Sequence, residues 1–316
     1  MKKLLKFSFV LGYFWIVTQF SNCTFFAHTT MTSAEFLYDP DIISPAYPKN
    51  KGPKVYLDEG HYNRHTYGGL GSFVAFRNVL SKDGYQVISF KNQFTAPSLQ
   101  DVRILVIPLA QNEKNLWPRW HNPTYSAFKR SEITAIKNWV ENGGSLFLIV
   151  DHHPFAGASK DLAKEFGFEL FNGHAEDTSK EFQDIFHRAN GTLDSNVITN
   201  ERDITEKVDS IKTFGGAAIK IPEDASPILT FDDDWVQWLP DTAWDFSNIE
   251  PEPIEGLSQG AFKKFGNGKI VVFGDGNMFS AQTDEDGEIG GFIDPDAKQN
   301  YQLLLNIIHY LDGLLD

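Results

Sequence analysis

Apolar residues fall into two alternating rhythms along most of the chain. A short run, Lys54-Val55-Tyr56-Leu57, predicts a strand that ends in Asp58-Glu59-Gly60-His61. Over 69–80, Leu70, Phe73, Val74, Phe76, Val79 and Leu80 recur at helical spacing, and Asp83-Gly84 closes that helix. Residues 86–90 and 102–107 predict a second and a third strand, the third stopped by Pro108. After a loop rich in Trp, Asn and Pro, Ser131 and Glu132 open a helix through Val140 that Gly143-Gly144 terminates. Residues 145–150 are almost continuously apolar, as in a strand covered on both faces, and run into Asp151-His152-His153-Pro154. A helix over 160–166 and a short strand over 169–171 follow.

From 173 to 258 the pattern loosens into short mixed segments, with strands expected over 211–221 and 227–231 and an acidic cluster at Asp232-Asp233-Asp234. Regularity returns with strands over 260–265 and 269–273 about a Gly266-Asn267-Gly268 turn, then a closing amphipathic helix over 301–311. Strands that alternate with helices predict an α/β class, a doubly wound and mostly parallel sheet. Residues 53–316 would form that domain, with 173–258 as a β-rich elaboration.

Composition changes the picture mainly by exclusion. A net charge of −14 lacks the basic footprint that nucleic acid or anionic lipid requires, and 41% hydrophobic residues is ample for a core. The N-terminus adds more. Lys2, Lys3 and Lys6 precede an apolar run over 7–20, about 14 residues, the length of a signal-peptide core and short of a bilayer span. Cys23, the single cysteine, ends that run and excludes an internal disulfide. Three outcomes stand: a lipoprotein acylated at Cys23, with Asn22 where a small residue is usual; a cleaved signal; or an uncleaved membrane anchor. Each places the folded part outside the cytoplasm, in the envelope or periplasm, where an envelope protein partner is an option. Turn-rich residues 24–52 read as a tether.

In open α/β sheets, ligands gather outside the carboxyl ends of the strands. Three such ends carry chemistry. The first holds Asp58, Glu59, His61, Asn63 and His65; the second Asp151, His152 and His153; the third Asp275 and Asn277 within Gly274-Asp275-Gly276-Asn277-Met278-Phe279-Ser280. One reading is structural: aspartates that cap helices or hold loops. A second makes Asn63, His152, Asp275 and Asn277 contacts for a small-molecule or carbohydrate ligand. A third makes Asp58, His61, Asp151 and His153 ligands of a divalent metal, or Asp58, Glu59, His61, Asp151 and His153 catalytic groups of a hydrolase. Asp151 and His153 would share a face if the strand stayed extended. The one G-x-S-x-G spacing, Gly256-Leu257-Ser258-Gln259-Gly260, runs into the strand expected over 260–265 and not into a helix, so it does not form a strand-to-helix nucleophile elbow. Gly68-Gly69-Leu70-Gly71 suits a tight turn better than a phosphate loop, lacking the Walker lysine. Trp117, Trp120, Trp235, Trp238 and Trp244 cluster in the long loops and fit either lid packing or ligand stacking.

Three stretches carry a family resemblance: Asp58-Glu59-Gly60-His61; Trp139-Val140-Glu141-Asn142-Gly143-Gly144 leading into Leu146-Phe147-Leu148-Ile149-Val150-Asp151; and Gly268-Lys269-Ile270-Val271-Val272-Phe273-Gly274-Asp275. With the order of elements over 55–311, they resemble the class I glutamine-amidotransferase-like fold. The branch is that of gliding-motility transporter components, intraflagellar-transport-type domains and uncharacterised exported bacterial relatives. Amidotransferases place a cysteine in the turn that here reads Asp151-His152-His153. The resemblance therefore implies loss of glutaminase activity and a binding or assembly role.

Overall fold

The computed structural model describes residues 33–68, 73–179, 184–200, 202–283 and 289–315. The apolar run over 7–20, Cys23 and Gly69-Leu70-Gly71 lie outside them, and no helix of the described residues is long and apolar enough to cross a membrane. The strands are β1 (Lys54–Asp58), β2 (Gln86–Phe90), β3 (Ile104–Pro108), β4 (Ser145–Ile149), β5 (Glu169–Leu170), β6 (His174–Asp177), β7 (Ile185–His187), β8 (Ser210–Lys212), β9 (Ile219–Lys220), β10 (Ser226–Thr230), β11 (Trp235–Trp238), β12 (Glu252–Pro253), β13 (Ser258–Phe265) and β14 (Gly268–Phe273). A small pair, β15 (Ala281–Thr283) and β16 (Ile289–Gly291), precedes the last helix. The helices are α1 (Ser33–Leu37), α2 (Val74–Lys82), α3 (Ala96–Leu99), α4 (Arg130–Glu141), α5 (Phe155–Lys164), α6 (Val197–Asn200) and α7 (Asn300–Asp312).

The central sheet runs β2-β1-β3-β4-β14-β13-β9-β5, with β10 also on β13. It is parallel from β2 to β14 and antiparallel beyond. Every residue of β3 and β4 is buried, which accounts for their unbroken apolar character. Two cores follow, one on each face: Phe147, Ile149, Val271 and Phe273 pack with α2 and α7, while Leu146, Leu148, Ile270 and Val272 pack with α4 and α5. On α4, Ile133, Ile136 and Val140 form the buried stripe, and α7 ends at Gly313 in the left-handed region (φ 84°).

Several expectations are corrected. The helix expected over 160–166 starts earlier, at Phe155. The single strand over 211–221 is two, β8 and β9, because Gly215 (φ 81°) and Gly216 (φ 91°) turn the chain between them. Gly216 must be glycine for a second reason: a Cβ there would lie 2.3 Å from the Gly274 carbonyl oxygen.

The largest correction concerns the tether. Residues 33–52 are strapped onto the body. Glu35 is buried and accepts the Ala75 and Ala281 amides at 2.8 and 2.6 Å. Tyr38 stacks on Phe292, and the Ala46 amide donates to Asp83 at 2.7 Å. The Tyr47 hydroxyl donates to Asp312. Prolines and turns at 40–48 shape the strap to the surface; they do not free it from the body.

Candidate functional site

At the end of β1, Asp58 is wholly buried and organises the following loop. It accepts the Gly60 amide at 3.0 Å and the Asn63 side-chain amide at 2.9 Å. It also faces His61 Nδ1, 3.0 Å from each carboxylate oxygen. The other ring nitrogen, Nε2, lies 3.1 Å from Glu132 on α4. With a carboxylate at both nitrogens, His61 donates twice and is an imidazolium. Burial alone would lower its pKa; the bonds to Asp58 and Glu132 outweigh burial and hold it above the ordinary histidine value. Glu132 also accepts the Phe94 and Lys129 amides at 3.1 and 3.0 Å. Burial would push its carboxyl up, but those amides and His61 keep it below the usual range. His61 is further sandwiched against Phe94, ring centroids 4.5 Å apart. Glu59 turns to the Tyr67 amide and the Ser89 hydroxyl. This cluster is a closed clamp.

The ends of β4 and β14 are adjacent in the sheet and bring together two buried aspartates. Asp151 accepts the His152 amide at 2.7 Å and the Gly276 amide at 3.1 Å. Asp275 accepts the Phe214 amide at 2.7 Å and the Asn277 amide at 2.8 Å. Burial pushes Asp151 up to about 7; burial, and then the charge of Asp151, push Asp275 well above the carboxylate range. They brace three loops. The chain leaves β4 in a turn at 152–154, so Asp151 and His153 do not share an extended-strand face.

The two imidazoles that follow meet an aromatic group. His152 packs against Trp120, Phe155 and Trp244 with centroids 5.7, 5.5 and 4.4 Å away. His174, at the start of β6, packs on Trp244 at 5.2 Å and Phe246 at 5.9 Å. His152, His153, Gly173, His174, Pro240 and Trp244 line a cavity of about 10 Å³, room for one water. Burial lowers His152, His153 and His174 to about 4, so all three rings are neutral near pH 7.

The expected residues thus form separate assemblies. Asp58, His61 and Asn63 are one, Asp151 and Asp275 a second, His152 and His153 a third. Because β3 lies between β1 and β4, the first is two strand spacings, about 9–10 Å, from the second. Asp58, His61, Asp151 and His153 therefore do not converge as one metal quartet. Among the described residues only Asp232, Asp233 and Asp234 set three donor atoms within 4.8 Å of one another, and Asp233 and Asp234 are exposed. Glu132, His174 and Phe246 were missed as site residues. Glu132 was legible only as a helix-start residue, and nothing in the sequence links it to His61.

No protein-family model matches the chain, and no curated protein matches it in sequence. Solved structures do match in fold. The N-terminal domain of mmIFT52 is 14% identical with a TM-score of 0.56, over 82% of this chain and 97% of that one. A putative ThuA-like protein from Bacteroides uniformis is 12% identical with a TM-score of 0.42, over 86% of this chain and 94% of that one. A cytoplasmic protein from Salmonella typhimurium is 12% identical at 0.42, over 82% and 98%. The first of these carries the conclusion. The chain shares that domain's fold, a mixed α/β fold with a largely parallel central sheet and additional β elements.

Proposed function

We propose that this protein is a non-catalytic binding or assembly domain displayed in the cell envelope, which takes a small polar or carbohydrate ligand on its aromatic strand-end rim. One observation carries the reading. In the turn where the resembled amidotransferases hold their cysteine, this chain has Asp151, buried and bonded to two backbone amides. A carboxyl occupied in this way is a brace. The clamp at His61 is likewise complete without a substrate.

What is open is the rim: Trp238, Trp244 and Phe246 are half-buried beside the exposed Leu239. Aromatic faces of this kind stack on the apolar face of a sugar or a planar ring. With only a water-sized cavity beneath, the ligand would lie across the rim. Envelope display is supported by Lys2, Lys3, Lys6, the apolar run over 7–20 and Cys23, which suit an exported, membrane-attached chain.

Calorimetry against simple sugars, peptidoglycan fragments and nucleotides tests the ligand. Binding by one class, weakened at least tenfold in Trp244→Ala and Trp238→Ala, is expected. Turnover of a glycoside, ester or phosphoester that Asp151→Asn abolishes would overturn the non-catalytic reading.

A further inference from the structure

We propose that His152, His153 and His174 form a site for one divalent transition-metal ion of the zinc, nickel and copper class, seated in the cavity beneath Trp244. The proposal stands apart from the rim ligand and concerns the space under it.

Ring-nitrogen geometry carries it. His152 Nδ1 lies 2.6 Å from the His153 carbonyl oxygen, and His153 Nδ1 lies 3.2 Å from the Pro240 carbonyl oxygen. A carbonyl only accepts, so both Nδ1 atoms carry the proton and both Nε2 atoms keep a lone pair. Imidazole metal ligands are held in this way, the far N–H fixed on a backbone carbonyl. His152 Nε2 has no hydrogen bond, only Asp151 at 3.9 Å. His153 Nε2 has the Thr124 hydroxyl at 3.4 Å, whose one proton is also directed at Asn122 at 3.2 Å. His174 Nδ1 is buried with no hydrogen-bond partner.

Three imidazoles with under-used lone pairs line one cavity and suit a borderline cation, against the opposing charge of Arg64, which is felt at His152. The imidazoles do not yet gather within 4.8 Å. With His152 and His153 fixed by their carbonyl bonds, closure requires movement of the His174 ring, whose Nδ1 nothing holds. The His174 ring packs directly on Gly215, where a Cβ would lie 2.5 Å from it.

The test uses chelator-stripped protein titrated with zinc chloride by calorimetry, and with cupric ion by tryptophan fluorescence. One equivalent should bind. His152→Ala and His174→Ala should each weaken it 10–100-fold, while the Asp232→Asn, Asp233→Asn, Asp234→Asn triple variant leaves it unchanged. Cupric quenching should fall in Trp244→Phe, since that ring lies 4.4 Å from His152 and 5.2 Å from His174. Thermal melts of metal-free variants separate lost ligation from lost folding. Should His174→Ala fail to fold, His174→Gln is read instead. Binding that survives both histidine changes, binding that follows the aspartate triple, or no zinc bound at 100 µM, the cavity holding water only, would each overturn the proposal.

Discussion

Glu132→Ala is the most informative perturbation of the fold. The carboxylate is 3% exposed and receives three donors: His61 Nε2, the Phe94 amide and the Lys129 amide. Its removal leaves the Nε2 side of a buried imidazolium without its carboxylate, with only Asp58 remaining on the other nitrogen, and leaves two amides without an acceptor. Breaking a buried charged pair by deleting one partner costs about 3–5 kcal/mol. At roughly 2–4 °C per kcal/mol for a domain of this size class, the melting temperature should fall by about 6–20 °C. Most of that cost is the charge left behind, so His61→Ala combined with Glu132→Ala should be much less destabilised than the sum of the singles. The cycle, run in urea at pH 6, should give a coupling above about 1 kcal/mol. Additive single changes would show that the His61–Glu132 contact contributes nothing, and the clamp would be refuted.

Raised acids lose their stabilising contribution as pH rises. Asp151 titrates near 7 folded and about 3.9 unfolded, so between those values the folded state holds the extra proton and stability declines with pH. Asp151→Asn should flatten that decline in denaturant midpoints measured from pH 4 to 8; an unchanged slope would count against the buried pair. Glu35→Ala leaves the Ala75 and Ala281 amides unpaired, costs about 2 kcal/mol, and should speed limited proteolysis within 33–52. If Cys23 carries the lipid, Cys23→Ser should abolish metabolic fatty-acid labelling without changing the melt of the folded part, with the mass of the mature N-terminus as the check.

Legibility in the sequence tracked locality. The strand over 86–90 was read at its exact bounds, and the burial of β4 was evident from five apolar or small residues in a row. Strand ends also picked out Asp58, Asp151 and Asp275, all buried. Partnership was not legible. His61 meets Glu132 across 71 positions, and His174 reaches Trp244 from an elaboration that has no periodicity to anchor it. The strap was misread for a related reason: Pro and polar residues mark irregular backbone, and irregular backbone can still be tightly held when one buried carboxylate takes two amides.

In a lipidated chain, that strap would set which way the molecule faces. Its first described turn, α1, is pinned by Glu35 to Ala75 and Ala281, both beyond carboxyl ends of sheet strands. The chain therefore enters the body on the side of the Trp244 rim, not at the opposite pole. Only residues 24–32 separate Cys23 from α1, a reach of at most about 30 Å at ~3.3 Å per residue fully extended. For a lipidated chain, the rim would look toward the bilayer across a gap little wider than one small domain. Bulky polymers approaching from the far side would be screened, and molecules lying at the membrane surface would be favoured.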